Sequence, residues 1–329
     1  MENPVTITVL SMCYNKAKTI RRTYESLLLQ TNKDFEWLII NDGSTDNLKT
    51  IIKDFNTDTF KIRFIDKENE GPANTFNLGV KESHGKMIFR LDPDDYITPD
   101  AIQKILDYMY VLEKDPKLCG LVFLSEFENG EIVGTHPYKK NRVSNFFDYR
   151  YYDRATGDRA EVIKKNIFLE FPWPKYGSEK FVLESSFWFP MALKYDAYYV
   201  NYPIYVREYN NNSITAASSS TYKNNPIGCV ENILLKYKIF KRKNKNIYIF
   251  TEQLKSCMLY YRYGLYSKYS LTTLYKKMPG PWNVIGFIPG LILHYTDRLF
   301  PRLIPNITKK YKRLRNKDNF TNLKIKQLQ

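Results

Sequence analysis

The stretch Gly85-Lys86-Met87-Ile88-Phe89-Arg90-Leu91-Asp92-Pro93-Asp94-Asp95 decides how the chain is read. Met87 to Leu91 is a short apolar run carrying one charge, the pattern of a mostly buried strand. Pro93, which has no N–H to give a sheet ladder, stops it. Asp92, Asp94 and Asp95 then crowd together directly after the strand. Carboxylates held this close repel one another unless a cation lies between them. Hard oxygen ligands suit Mg2+ or Mn2+, ions that take one or two carboxylates and complete their shell with phosphate and water. The stretch reads either as a metal-assisted diphosphate site at a strand's carboxyl end or as a solvated acidic turn before a helix, with Asp100 near its start.

Working outward favours the first reading. Val5 to Met12, Phe35 to Ile40 and Ile62 to Ile65 are apolar and β-rich. Between them, Lys16 to Gln30, Leu48 to Phe55 and Ala73 to Ser83 have helical spacing, and a further helix is expected over Pro99 to Leu112. Such alternation implies βαβ units and a parallel sheet, whose ligands collect beyond the carboxyl ends of the strands. Tyr14, Asn15, Asp42, Gly71, Asp92 and Asp94 all fall at those ends. There is no Gly-x-Gly-x-x-Gly after the first strand, no Gly-x-x-x-x-Gly-Lys-Ser/Thr and no Gly-x-Ser-x-Gly. Without a phosphate-cradling glycine loop, a bound diphosphate would need a metal, which returns the argument to Asp92 and Asp94.

In these motifs the chain resembles the family 2 glycosyltransferases, inverting enzymes with a GT-A fold, and in particular the bacterial polysaccharide type. The resemblance rests on Val9-Leu10-Ser11-Met12-Cys13-Tyr14-Asn15, Ile39 to Asp46, Gly71 with Asn77-Leu78-Gly79, Gly85-Lys86, and Leu91 to Asp95, in that order, over roughly residues 5–112. It implies an α/β fold with a mixed, mainly parallel sheet flanked by helices, a nucleotide-sugar donor with a UDP-sugar foremost, and a divalent Mn2+ or Mg2+ ion. On that resemblance Tyr14, Asn15, Asp42, Asn77, Asp92, Asp94 and Arg207 would bind the nucleotide sugar, with Asp92 and Asp94 holding the metal. Asn74-Thr75-Phe76 stands where many members carry Ala-Arg-Asn.

Residues 113–230 are expected to complete the sheet and build the acceptor side, with strands at Leu121 to Phe127, Ile132 to Thr135 and Tyr198 to Val206. Many family members carry an acidic pair whose carboxylate is the catalytic base. Here Glu184 opens a helix from Ser185 to Lys194 and is followed by Ser185, with Glu179 as the reserve candidate. A base is required because a hydroxyl is a poor nucleophile at neutral pH. Arg207 or Lys180 would stabilise charge on the departing diphosphate, and Asn210-Asn211-Asn212-Ser213 reads as a lid or a plain turn.

The four cysteines (Cys13, Cys119, Cys229, Cys257) are far apart, which fits a reducing compartment, and three scattered histidines make a histidine metal site unexpected. The opening Met-Glu-Asn-Pro lacks a signal-peptide pattern. Net charge is +15, yet residues 1–230 are nearly neutral and residues 231–329 hold roughly 21 Lys/Arg against 4 Asp/Glu. A basic block of this kind suits an anionic partner. Helices are expected at Ile233 to Phe240 and Glu252 to Leu265. The apolar run Val284 to Leu293, read as broken by Pro289 and Gly290, is too short to span a bilayer. With Trp282 before it and the basic run Lys309 to Lys317 beyond, it reads as interfacial or as an ordinary helical bundle.

The expected organisation is a catalytic domain over 1–228, divided at 112, and a helical basic region over 229–329. The expected protein is a cytoplasmic, membrane-peripheral transferase acting on a glycan or lipid-linked acceptor, with no nucleic acid partner. Its rivals are an inactive scaffold whose tail binds membrane or nucleic acid, and a glycoside hydrolase with two carboxylates.

Overall fold

Strand β1 (Ile7–Cys13) is buried almost throughout because it lies between two parallel neighbours and is covered on both faces. It pairs in parallel with β2 (Phe35–Asp42) and with β4 (Met87–Arg90), and β2 pairs in parallel with β3 (Lys61–Lys67). The crossovers are α1 (Ile20–Leu28), α2 (Leu48–Lys53) and α3 (Pro72–Glu82). All four strands therefore bring their carboxyl ends to one rim.

The computed structural model describes residues 5–56, 58–135, 138–208, 218–242, 247–278 and 280–299. The chain forms two units, Met1–Ser213 and Ile214–Gln329. In the first, β5 (Tyr96–Ile97), β6 (Leu118–Phe127), β7 (Arg142–Ser144), β8 (Ala160–Lys164) and β9 (Asp196–Arg207) extend the sheet. The strand order is β3-β2-β1-β4-β8-β6-β9-β5, with β7 on β9. Strand β8 runs antiparallel to both β4 and β6, which makes the sheet mixed. One face is packed around Ile7, Val9, Trp37 and Phe89, the other around Leu10, Ile88, Phe76 and Phe187.

Two expectations need correcting here. The single helix over Pro99 to Leu112 is two short ones, α4 (Ala101–Asp107) and α5 (Met109–Lys114), which meet at Tyr108. Residues 132–135 make only an isolated bridge, Glu126 with Ile132, because Gly134 takes φ +75° and turns the chain out of the extended region. The remaining helices of this unit are α6 (Phe146–Tyr151), α7 (Lys165–Glu170) and α8 (Ser185–Ala192).

The second unit is helical among its described residues: α9 (Ser218–Asn224), α10 (Pro226–Arg242), α11 (Ile247–Gly264), α12 (Leu271–Lys277) and α13 (Trp282–Leu299). Position 228 falls inside α10. Helix α13 continues through Pro289 and Gly290 rather than breaking there. A Cβ on Gly286 would lie 2.6 Å from the Cys257 Cβ, and one on Gly290 2.5 Å from the Tyr261 Cβ. These glycines are where α13 crosses α11 closely, so Gly290 serves packing instead of ending the helix. Asp297 receives a two-pronged bond from Arg262 (2.8 and 2.9 Å), and both side chains are buried. Val284, Ile288, Ile292 and Leu299 leave an apolar face of α13 exposed. Among the described residues, no helix is long and apolar enough to cross a membrane. The loop Asn210–Ser213 and the run Lys309–Lys317 lie outside the described residues.

Candidate active site

The turn after β4 separates its three carboxylates. Asp95 faces inward: one oxygen accepts from the Tyr205 hydroxyl at 2.9 Å and the other from the Glu208 N–H at 3.1 Å. Burial pushes its carboxyl up to about 6, against the pull of Arg207. The Tyr205 hydroxyl also accepts the Asp92 N–H at 3.0 Å, and Thr23 donates to the Asp95 carbonyl at 2.8 Å, so the turn is pinned from below. Asp92 and Asp94 are left at the rim, their side chains 33% and 28% exposed. The repulsion expected among three neighbouring carboxylates is thus avoided by sending one into the core.

Each rim carboxylate faces a cation. The Lys16 ammonium, from the turn after β1, sits on Asp94. Arg90, the one charge in β4, lies on the same strand face as Asp92 because side chains alternate. Its Nε is 3.7 Å from Asp92 Oδ1 and its Nη1 is 2.9 Å from Glu184 Oε1. Glu184 occupies the N-terminal position of α8 without capping it; its carboxylate turns to Arg90 instead. The antiparallel register of β4 on β8 brings Glu161 across from Arg90. Burial pushes the Glu161 carboxyl up to about 7, with Arg90 pulling the other way. Burial also works against the Arg90 charge, and the fields of Glu184, Asp92 and Glu161 outweigh it.

Glu184 reaches β4 because the segment before it is fastened to α3. Trp173 and Asn77 exchange two hydrogen bonds, 2.8 Å from the Asn77 amide to the Trp173 carbonyl and 2.9 Å from the Trp173 N–H to Asn77. Gly71, at φ +88°, lets the Lys180 carbonyl approach to 2.4 Å from where a Cβ would stand, and Lys180 Nζ bonds Asn69 at 2.8 Å. Asn77, expected at the nucleotide, therefore has both ends of its amide taken up by this fastening. Glu179 lies upstream of Glu184, in a turn closed by its N–H on the Tyr176 carbonyl at 3.1 Å.

Asp42 is also occupied. It accepts from the Glu70 and Gly71 N–H groups, both at 2.9 Å, and from Lys67 at 2.7 Å. Burial works to raise its pKa, and the bonds from Lys67 and Glu70 outweigh it, holding the carboxylate below the usual range. Asp42 shapes the 67–71 loop. Asn15, at φ +54°, accepts from the Thr45 N–H at 2.8 Å and joins the ends of β1 and β2. Tyr14 beside it is half exposed. Arg207 ends β9, 3.1 Å from Asp158, with its Nε buried and unpartnered among the described residues.

The donor set fits a hard divalent ion. Asp92 and Asp94 supply carboxylate oxygens at a partly exposed rim where Asp94 already accepts a cationic partner. Among the described residues, no group of three or more His, Cys, Asp or Glu forms a cage of its own. Two carboxylates with the remaining shell left to phosphate and water is the usual Mg2+ arrangement. The residues that sequence reasoning passed over are Arg90, Lys16 and Glu161. Arg90 was visible as a charge inside an apolar strand, two positions before Asp92.

The family model described as Glycosyl transferase family 2 matches residues 8–164. An uncharacterized glycosyltransferase of Rickettsia felis is 42% identical over 103 residues, 31% of this chain and 17% of that protein. A chondroitin synthase of Escherichia coli is 37% identical over 101 residues, 31% of this chain and 15% of that protein. The chain spans under a fifth of the length of these curated relatives. Among solved structures, residues 1–349 of S. aureus TarS superpose with a TM-score of 0.55 at 13% identity, covering 90% of this chain and 92% of that one. The same TarS fragment has been solved with UDP-GlcNAc, where the TM-score is 0.52. The mixed sheet flanked by helices is the GT-A architecture of these neighbours.

Proposed function

We propose that this chain, a glycosyltransferase of family 2 over residues 8–164, moves a sugar with inversion from a UDP-sugar to a hydroxyl of a glycan or lipid-linked acceptor, in the making of a surface polysaccharide. The observation that carries this is the rim itself. Asp92 and Asp94 stand at the carboxyl end of β4, and Glu184 reaches Asp92 from another element through Arg90. Relatives named as polysaccharide synthases and a neighbour solved with UDP-GlcNAc support the donor and product classes.

In this reading Tyr14 offers its exposed ring to the base, and Asn15 and Asp42 hold the two loops that frame the nucleoside. Mn2+ or Mg2+ held by Asp92 and Asp94 would supply charge neutralisation on the diphosphate. Arg207 adds a fixed positive charge beside the same turn, as does Lys16 once released from Asp94. Glu184 accepts the acceptor's proton as that oxygen bonds to the anomeric carbon and the bond to the diphosphate breaks on the opposite side. Glu179 is the reserve for that role. In-line attack inverts the anomeric centre. The exposed apolar face of α13 and the basic charge after residue 230 support peripheral docking of the second unit on an anionic membrane surface.

Calorimetric titration of the full chain with UDP, GDP, CDP and dTDP, each with and without Mn2+, tests this. Metal-dependent binding of UDP that Asp94→Ala abolishes is the expected result. Binding of none of the four, or UDP binding indifferent to Asp94→Ala, would sink the donor and metal assignments.

A further inference from the structure

Arg90 holds no part of the substrate in this scheme, yet Glu184, Asp92 and Glu161 all converge on it. Its side chain is about four-fifths covered, its Nη1 is 2.9 Å from Glu184 Oε1, and its Nε is 3.7 Å from Asp92 Oδ1. Glu161 approaches from β8. An arginine is stiff, planar and permanently charged, with donors fixed in a fork. A fork whose two sides face two different carboxylates sets the distance between them. Without it, Glu184 would be an exposed side chain on the first turn of α8, free to turn to solvent or to the helix N–H groups it does not cap.

We infer that Arg90 is a positioning residue, which holds the Glu184 carboxylate at a fixed place beside the Asp92 end of β4 and so aims the base at the donor. This rests on the reading of Glu184 as the base. Arg90 touches no substrate in this scheme; it acts through the two carboxylates it joins. Proximity of this kind bears on the rate of the chemical step more than on donor affinity, since a misplaced base slows proton transfer while the nucleotide contacts persist. Among the described residues, the charged groups that act on Glu184 here are Arg90 from β4 and Glu161 from β8. Arg150 and Asp158 act in turn on Glu161.

The test compares Arg90→Met, Arg90→Lys and Glu184→Gln in the full chain. Side-chain carboxyl 13C NMR on glutamate-labelled protein follows Glu184, its resonance identified by its loss in Glu184→Gln. UDP release from UDP-sugars with Mn2+ gives kcat and KM across pH. Arg90→Met is expected to shift the Glu184 carboxyl resonance at neutral pH, because the carboxylate loses the guanidinium 2.9 Å away. It should lower kcat about 10- to 100-fold and leave donor KM within about threefold. Arg90→Lys keeps the charge without the fork and should recover kcat only in part. An unmoved Glu184 carboxyl resonance in Arg90→Met, or a loss confined to KM, overturns the inference. Should Arg90→Met not fold, Arg90→Lys decides: wild-type kcat in that variant overturns it. Full activity in Glu184→Gln sinks the base assignment instead, and a Glu184 carboxyl resonance still displaced in Arg90→Met would show that the contact stands without that role.

Discussion

The two ends of the parallel sheet hold carboxylates in opposite ways. At the amino end Glu36 is fully buried and saturated: Thr8 Oγ1 donates at 2.7 Å, the His84 N–H at 2.6 Å, and Arg63 lies 3.3 Å away. Gly85, beside it, cannot carry a side chain, because a Cβ there would stand 2.4 Å from the Thr8 nitrogen. At the carboxyl end Asp92, Asp94 and Glu184 are part-exposed and face single cations across ion pairs. A buried carboxylate with every lone pair used can only stabilise. A rim carboxylate whose partner is one flexible lysine keeps capacity for another cation. Asp95 shows that the same tetrapeptide can supply both kinds, one residue apart.

The comparison breaks if the two ends respond alike to mutation. Asp94→Ala should cost about 10³ in transfer rate, on the order of 4 kcal/mol of transition-state stabilisation, with the melting temperature hardly moved. Steady-state kinetics beside a thermal melt reads both. Glu36→Ala should do the reverse. It leaves the Thr8 hydroxyl, the His84 N–H and the Arg63 charge without their acceptor, at a cost of about 3 kcal/mol by denaturant unfolding, while UDP release per folded molecule stays near wild type.

Glu161 sharpens the contrast, being covered at the rim without the partners Glu36 has. Its folded pKa is raised above the ordinary carboxyl value to about 7. The folded state therefore holds its proton more tightly than the unfolded chain does. The resulting stabilisation is complete below the ordinary value and is lost as pH rises through about 7. Urea unfolding across that window should show wild type falling by about 3 kcal/mol and Glu161→Gln without that component. A variant with the same slope as wild type would assign the slope elsewhere. The smallest effect is expected from Asn77→Ala, about 1 kcal/mol from the lost fastening of Trp173, with metal-dependent UDP affinity within about threefold. A large loss of UDP affinity with unchanged stability would return Asn77 to the nucleotide.

Much of this was legible in the chain. The alternation of apolar runs and helical periods set β1 to β4 and their crossovers: β1, β2 and β4 are covered on both faces and mostly apolar, while β3 is a half-exposed edge strand. Tyr14, Asn15, Asp42 and Asp92 fell on one rim because parallel strands point the same way. What composition and spacing left open were the partners. Asp42 and Asn77 carry motif positions, yet their side chains are bonded to the 67–71 loop and to Trp173. Those contacts join residues far apart in sequence, and no local pattern encodes them. The pieces β5 and β7, of two and three residues, carry too few residues for a period to show. Gly290 looked like a break and is a crossing point, since a glycine's meaning depends on what lies opposite it.

The sequence by itself determined the order of the parallel units, the acidic turn after β4, the family motifs and the concentration of positive charge after residue 230. These follow from local propensity, hydrophobic period and composition, each readable within a short window. Only the tertiary structure decided which carboxylate of the turn goes inward, that Lys16 meets Asp94, and that Arg90 joins Asp92 to Glu184. The reason is physical. Burying a charge is costly unless a counter-charge or hydrogen bonds meet it, and whether they do is settled by strands and helices that come from opposite ends of the domain.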